Sequence, residues 1–341
     1  MATIAEQLTQ LQVDKETLKT NLTDKGIEVL DTDTFTEMST KVAKLGPPVP
    51  EKGVIINEYD SDGYPIDISI VGMTTIPYYY LECNGSTNNS GVSIFQRTKN
   101  INFPDGLTNI GMYAFNNCKG LEMTSLPETL RVIDSYAFDS CTNLALTSLP
   151  SGLTNISMAS FRGTKITLTE LPSGITSIGT YAFSGCTELA LTSLPEGVTS
   201  IGDSAFSSSK ISLTELPSGL TKLSQGAFSK CANLTLTSIP TGITTLATRV
   251  FEYCTGLTYL ELHEGITSIG SFAFNNCTNL TKLVVRATTP PTLHSNGFYQ
   301  NSIVNGTGYI YVPDESIETY KTADVWSTYA SQIKGISELE V

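Results

Sequence analysis

The chain has 341 residues, 40% hydrophobic and 16% charged, which is enough apolar material for a substantial core. Its formal net charge of −13 and pI near 4.6 work against a phosphate backbone as partner, because nucleic-acid binding needs clustered Lys and Arg. No apolar run approaches the roughly 20 residues that cross a bilayer, so membrane insertion is not expected.

Residues 1–45 open the chain. Met1 to Gln7 lack the basic start and apolar core of a signal peptide, so export is not expected to follow that route. Ile4, Leu8, Leu11, Leu18 and Leu22, with Lys15 interrupting them, are spaced as a coiled-coil seam. An isolated helix of this length is marginal in water, so the seam either associates with copies of itself or docks on its own chain. After Gly26, Asp31 to Thr34 offer caps for a second short helix carrying Phe35, Met38, Val42 and Leu45.

Residues 46–71 form a linker and a hairpin. Gly46-Pro47-Pro48-Val49-Pro50 favours an extended, stiff connection. Val54 to Ile56 and Ile66 to Val71 read as strands joined through Asp60-Ser61-Asp62-Gly63. That turn begins like a calcium loop but lacks the closing Glu, so a plain turn is expected.

From residue 72 to 289 one unit recurs. Phe115, Phe138, Phe161, Phe183, Phe206, Phe228, Phe251, Phe274 and Phe298 follow one another at 22 to 24 residues. An Ile or Leu stands five positions before each of the first eight. A unit this short cannot bury its own apolar face, so successive units must stack and equivalent residues must form ladders. The pattern Ile-Gly-x-x-Ala-Phe-x-x-Cys-x-x-Leu, as in Ile110 to Leu121, Ile178 to Leu189 and Ile269 to Leu280, resembles the BspA-like class of leucine-rich repeats. The resemblance implies a mainly β, right-handed solenoid that presents surfaces for adhesion and protein contact.

Six of the seven cysteines, Cys118, Cys141, Cys186, Cys231, Cys254 and Cys277, stand three residues after a ladder Phe, where Thr164 and Ser209 replace them in two other coils. A position that tolerates Thr or Ser calls for small buried side chains, so reduced thiols are expected rather than disulfides or zinc.

In residues 290–341, Pro290-Pro291 interrupts the repeat. A strand at Tyr309 to Val312 and two helices, one capped by Asp314 and one carrying Trp326, Tyr329 and Ile333, read as a cap that closes the stack. The single Trp belongs to that packing.

Catalytic constellations are lacking in the sequence, and no cofactor or metal is expected. His263 and His294 are the only histidines, and His263 stands at a coil corner. Ser125, Ser148, Glu170, Ser193, Glu215, Ser238 and Glu261 fall one residue before successive corners. Glutamates two coils apart would lie about 10 Å from one another. Equal surroundings would leave their carboxyls alike, whereas an acid and base pair needs them separated. The stripe therefore reads as solvated.

The candidate binding face is a row of threonines: Thr124, Thr147, Thr169, Thr192, Thr214 and Thr237, with Glu170, Glu215 and Glu261 alongside. In coils such as those of Leu260 and Leu283 the residue two before the corner is apolar, but these six place Thr there and move the apolar residue one position earlier. Strand side chains alternate, so either a bulge returns the Leu row to the core and exposes Thr, or the Leu row faces outward. The bulge is expected, because six exposed aliphatics would form an unusually large apolar patch.

The opening through Lys25-Gly26 to Leu45, and the section from Asp60 to Tyr80, resemble segments of phage and prophage tail or baseplate-associated proteins. The resemblance implies a non-enzymatic virion protein that leaves its host by lysis. Its N-terminus would join tail or baseplate proteins as a homo-oligomer, a trimer by analogy with tail fibres, and its repeats would bind a host surface protein or glycan. A purely architectural virion component and a bacterial cell-surface adhesin are the alternative readings.

Overall fold

A computed structural model describes residues 53–61, 65–77, 96–294 and 296–339. All of them lie in the compact unit Lys52–Val341. The helical segment, the coiled-coil seam and the whole proline linker lie outside the described residues.

The hairpin is present: β1 (Gly53–Tyr59) pairs antiparallel with β2 (Pro65–Val71), with register shifts between Ile56 and Tyr59. β2 then pairs in parallel with β3 (Asn100–Asn102), joining the hairpin to the first coil. From there the chain is a β-solenoid of about ten turns. Thr75–Ile76 pairs with Asn109–Ile110, and that strand with Val132–Ile133. Two-residue strands from Asn155–Ile156 to Lys222–Leu223 continue as a second parallel sheet. In each, the Ile or Leu is buried.

The opposite side of each coil is held differently. Phe183 and the residues two before and two after it donate their N–H groups to the next coil: Tyr181 to Asp203 O, Phe183 to Ala205 O and Gly185 to Ser207 O, all 2.8 Å. The residues between them fold back, as Ser184 does to Tyr181 O (3.1 Å). This alternation requires left-handed backbone at Tyr181 (φ 56°) and Gly185 (φ 74°), and the same two positions recur coil after coil. On the Ile side the direction reverses: Gly202 N–H donates to Ile178 O of the coil before (2.8 Å). A Cβ at Gly202 would stand 2.5 Å from Thr180 N, which explains the Ile-Gly pair in that coil.

The phenylalanines form a continuous stack. Centroids from Phe115 to Phe298 are 5.3 to 6.0 Å apart, and neighbouring rings tilt by no more than 22°. Every ladder Phe is at most 1% exposed. At about 1.5–3 kcal/mol per buried ring, this ladder is the largest repeating source of stability. Edge-on rings close it: Phe103 on Phe115 at one end (5.9 Å, 68°), and Trp326 and Tyr329 on Phe298 at the other (6.1 and 5.3 Å).

The parallel ladders continue past Pro290-Pro291. Thr292–Leu293 pairs with Ser268–Ile269. Tyr259–Leu262, Lys282–Val285, Tyr309–Val312 and Ile333–Gly335 form a four-stranded sheet. The cap supplies a short α-helix (Ile317–Thr322) and a 3-10 segment (Trp326–Gln332). Its side chains bind the last coils, with Tyr320 OH donating to Ala287 O (2.6 Å) and Trp326 Nε1 to Pro291 O (2.7 Å). Asp314 does not cap a helix as the sequence suggests: its carboxylate accepts from Ser337 Oγ, which ties the end of the chain to the cap.

The cysteine expectation holds for five residues and fails for one. Cys141, Cys186, Cys231, Cys254 and Cys277 are free and buried. Each thiol donates to the Phe carbonyl of an earlier coil, as Cys186 does to Phe161 O and Cys277 to Phe251 O (3.0 Å each). Cys118 is disulfide-bonded. It belongs to the first coil of the phenylalanine ladder, so it has no earlier ladder Phe whose carbonyl its thiol could meet as its fellows' thiols do.

Candidate recognition face

The six central coils reach their corner through Leu-x-Leu-Thr-Ser/Glu-Leu-Pro or a close variant, as in Leu189 to Pro195. Met123, Leu146, Leu168, Leu191, Leu213 and Leu236 are all buried. Thr124, Thr147, Thr169, Thr192, Thr214 and Thr237 are all exposed, as are Ser125, Ser148, Glu170, Ser193, Glu215 and Ser238. Two consecutive residues therefore face solvent between buried neighbours, which is what a bulge accomplishes. In the coil of Leu257, Leu260 and Leu262 the buried residues are spaced three and then two apart, instead of two and then three as in Leu189, Leu191 and Leu194. The unit keeps its length while the irregular step moves.

That displacement decides the hydrogen bonding. Across the central corners, the N–H groups of Thr169, Glu170, Thr192, Ser193, Thr214 and Glu215 have no main-chain partner among the described residues. Within the threonine row only Thr147 uses its hydroxyl internally, donating to Thr124 O (3.3 Å). A second threonine ladder, beside the Ile strands, behaves in the opposite way. Thr108, Thr176, Thr199, Thr221 and Thr267 each donate to the preceding coil's carbonyl at 3.0 to 3.3 Å. One ladder is structural, and the other presents unused donors and acceptors.

Two shallow grooves open along this face. One of about 370 Å³ is lined by Thr147, Ser148, Thr169, Glu170 and neighbouring corner residues. Another of about 510 Å³ runs between residues 100–103 and 122–127 and includes Thr124 and Ser125.

Glu261 stands apart from Glu170 and Glu215, which are exposed. Both of its oxygens accept from Arg286 (Nε 2.9 Å, Nη2 3.2 Å), and Tyr259 OH adds a third bond (2.9 Å). Arg286 first, and Tyr259 after it, hold the Glu261 carboxyl below its ordinary value against the opposing effect of partial burial. Glu261 is thus committed to a structural ion pair. His263 is equally committed: its Nε2 meets Ile243 O and its Nδ1 accepts from Gly265 N–H, both at 3.0 Å. Among the described residues no three His, Cys, Asp or Glu side chains gather as metal ligands. Ile4, Leu8, Leu11, Leu18 and Leu22 lie outside the described residues.

Sequence reasoning missed one polar cluster. Asp67 on β2 accepts from Asn57 on β1 and from Asn100 and Asn102 on β3. The alternation Asn100-Ile101-Asn102 was the available signal, since it is a strand with a polar face.

A parallel solenoid of short coils with this Leu and Phe framework is a leucine-rich repeat domain. The BspA type leucine-rich repeat region matches in six copies over residues 80–190 and 189–305, and the chain belongs to that family. Among curated proteins none matches. Solved structures resembling it include a leucine-rich repeat protein from Bacteroides ovatus, 16% identical, covering 85% of this chain and 100% of its own (TM-score 0.33). A leucine-rich cell surface protein from Faecalibacterium prausnitzii is 20% identical, with 82% and 96% covered (TM-score 0.44). The pneumococcal vaccine antigen PcpA is 19% identical, with 82% and 80% covered (TM-score 0.46).

Proposed function

We propose that the chain is a non-enzymatic recognition protein whose central coils bind a host surface protein or glycan, and that residues 1–45 attach it, as a homo-oligomer, to a phage tail. The observation that carries the recognition half is the row of exposed threonines from Thr124 to Thr237, with corner N–H groups from Thr169 to Glu215 that have no main-chain partner among the described residues. A flat array of open donors and acceptors suits a polar partner through hydrogen bonds, which are each modest and strong only in number. The tail attachment rests on the sequence resemblance of the opening segment.

Competition tests the reading. Purified full chain should block adsorption of virions that carry it, and a Thr169→Lys, Thr192→Lys, Thr214→Lys variant with unchanged circular dichroism should not. Equal blocking by both removes this face from consideration. Failure of both to block, with the chain located in virions by labelling, leaves an architectural component. Labelling confined to a bacterial envelope makes it a cellular adhesin with the same binding face.

A further inference from the structure

We infer that the groove of about 510 Å³ beside Asn100 and Asn102 is a binding site for an uncharged saccharide unit. The inference rests on the recognition reading above and names the chemistry of one end of that face.

The site is built on paired strands. β2 and β3 place Asp67 beside Asn100 and Ser69 beside Asn102. The Asp67 carboxylate then collects three amide donors, from Asn57 (2.5 Å), Asn100 (2.9 Å) and Asn102 (3.0 Å). Asn57 and then Asn100 are the main reasons its carboxyl is held below the ordinary range, so it stays ionised at neutral pH. An ionised acceptor shared by three amides fixes their planes. With its amide nitrogen committed to Asp67 and Asn102, Asn100 keeps its carbonyl oxygen open, since no donor among the described residues reaches it.

Across the groove stand Thr124 and Ser125, both exposed, whose hydroxyls have no partner among the described residues. Adjacent sugar hydroxyls each donate one hydrogen bond and accept others, and fixed carboxamides facing free hydroxyls answer that pattern. Phe103, partly buried in the core, supplies an apolar wall for a sugar's C–H face. The charge decides which sugars fit. Glu122 lines the groove and Asp67 adjoins it, and Lys99 is held by Glu122 at 3.4 Å. No basic side chain lines the groove and the neighbouring Lys99 is already paired with Glu122, so a uronate, a sialic acid or a sulfated sugar would meet Asp67 and Glu122 without a free counter-charge.

Saturation-transfer NMR on the full chain tests this with two probe sets: glucose, galactose, N-acetylglucosamine and their short oligomers, against glucuronic and N-acetylneuraminic acids. Transfer to at least one neutral probe and none to the acids is expected. Asn100→Ala, which removes the open carbonyl oxygen, and Ser125→Ala should each weaken that binding about two- to tenfold, the size of one lost hydrogen bond. Ser125→Ala removes no internal contact, so its effect cannot come from misfolding. No transfer from any neutral probe, equal transfer from the acids, or unchanged affinity in both variants overturns the inference. The triple lysine variant should keep its saccharide signal while losing adsorption. Adsorption that depends on those threonines in a chain that binds no sugar would sink this site and leave the recognition reading standing.

Discussion

The six central coils and the last coils share one phenylalanine stack but finish their common face in different ways. Between Met123 and Leu236 the buried residue arrives early, two exposed residues follow, and most corner N–H groups from Thr169 to Glu215 go unpaired. From Tyr259 onward the buried residue arrives late and four strands pair in parallel over three or four residues each. The outer side of that sheet uses its own groups: Lys334 lies 3.9 Å from the Tyr309 ring centre, and Glu261 is taken by Arg286 and Tyr259. The isolated bridge between Ser238 and Glu261 marks the change. A one-residue displacement of the irregular step is therefore enough to turn a closed sheet into an open polar strip without disturbing the core. The open strip sits where sheet pairing is given up, and the closed sheet sits next to the cap, where pairing secures the end of the stack.

If the core is common to both regions, truncating a ladder ring should cost the same in either. Phe183→Ala and Phe274→Ala are each expected to destabilise by about 3–5 kcal/mol in denaturant unfolding, because both rings are fully buried between stacked neighbours. A much smaller loss at Phe183 would mean that the open coils are also loosely packed, and the comparison would fail at its base.

The thiols probe the same point without altering the core. Burial pushes Cys186 up to about 11, despite its hydrogen bond with Thr164, and Cys277 up to about 12. Against an ordinary thiol near 8.5, the thiolate fraction at pH 8 falls by a factor of about two hundred or more. Both residues should resist a thiol reagent in the folded chain and react together on unfolding. Earlier labelling at Cys186 would expose local opening of the central coils.

How much of this was legible depends on whether a residue's role repeats. The ladder Phe, the Cys position and the Leu step could be read because each sits in the same surroundings many times, so the sequence tests itself. Thr exposure followed from that repetition. Asp67 could not be read in this way, since it occurs once, before the phenylalanine ladder, and Cys118 could not because its repeat position predicts a free thiol. Cys118 looks like its five fellows in sequence, and only its disulfide bond distinguishes it. Asp314 misled because an acid before a helix is a good cap by local rules, whereas Ser337, 23 residues later, claims it.

The structural threonine ladder should register a moderate effect. Thr199→Ala removes the bond to Thr176 O (3.3 Å), and about 0.5–1.5 kcal/mol should be lost in unfolding. A smaller effect still is expected at the closed sheet. Because the Glu261 carboxyl is depressed in the folded state, its contribution is complete above the ordinary glutamate value near 4.3 and disappears as pH falls through the lowered folded value. Both partners are partly exposed, so the contribution is at most about 1 kcal/mol. Wild type and Glu261→Gln should therefore differ in stability at pH 6 and converge in acid, and a gap that persists at low pH would assign the effect to packing.

The smallest effect is the one that defines the open strip. Thr192 is exposed, its hydroxyl meets nothing among the described residues, and Leu191 beside it carries the burial. Thr192→Ala should leave stability within about 0.5 kcal/mol, the range of surface substitutions free of special contacts. Thr199 and Thr192 lie only seven positions apart in one coil, bear the same side chain and are both exposed, so propensity and exposure cannot separate them. What separates them is whether the hydroxyl already has an acceptor. Paired urea titrations of Thr192→Ala and Thr199→Ala should give a clear midpoint shift only for the second. Equal shifts would mean that the hydroxyls of the central corner are engaged within the fold, and a row engaged within the fold has nothing left to offer a partner.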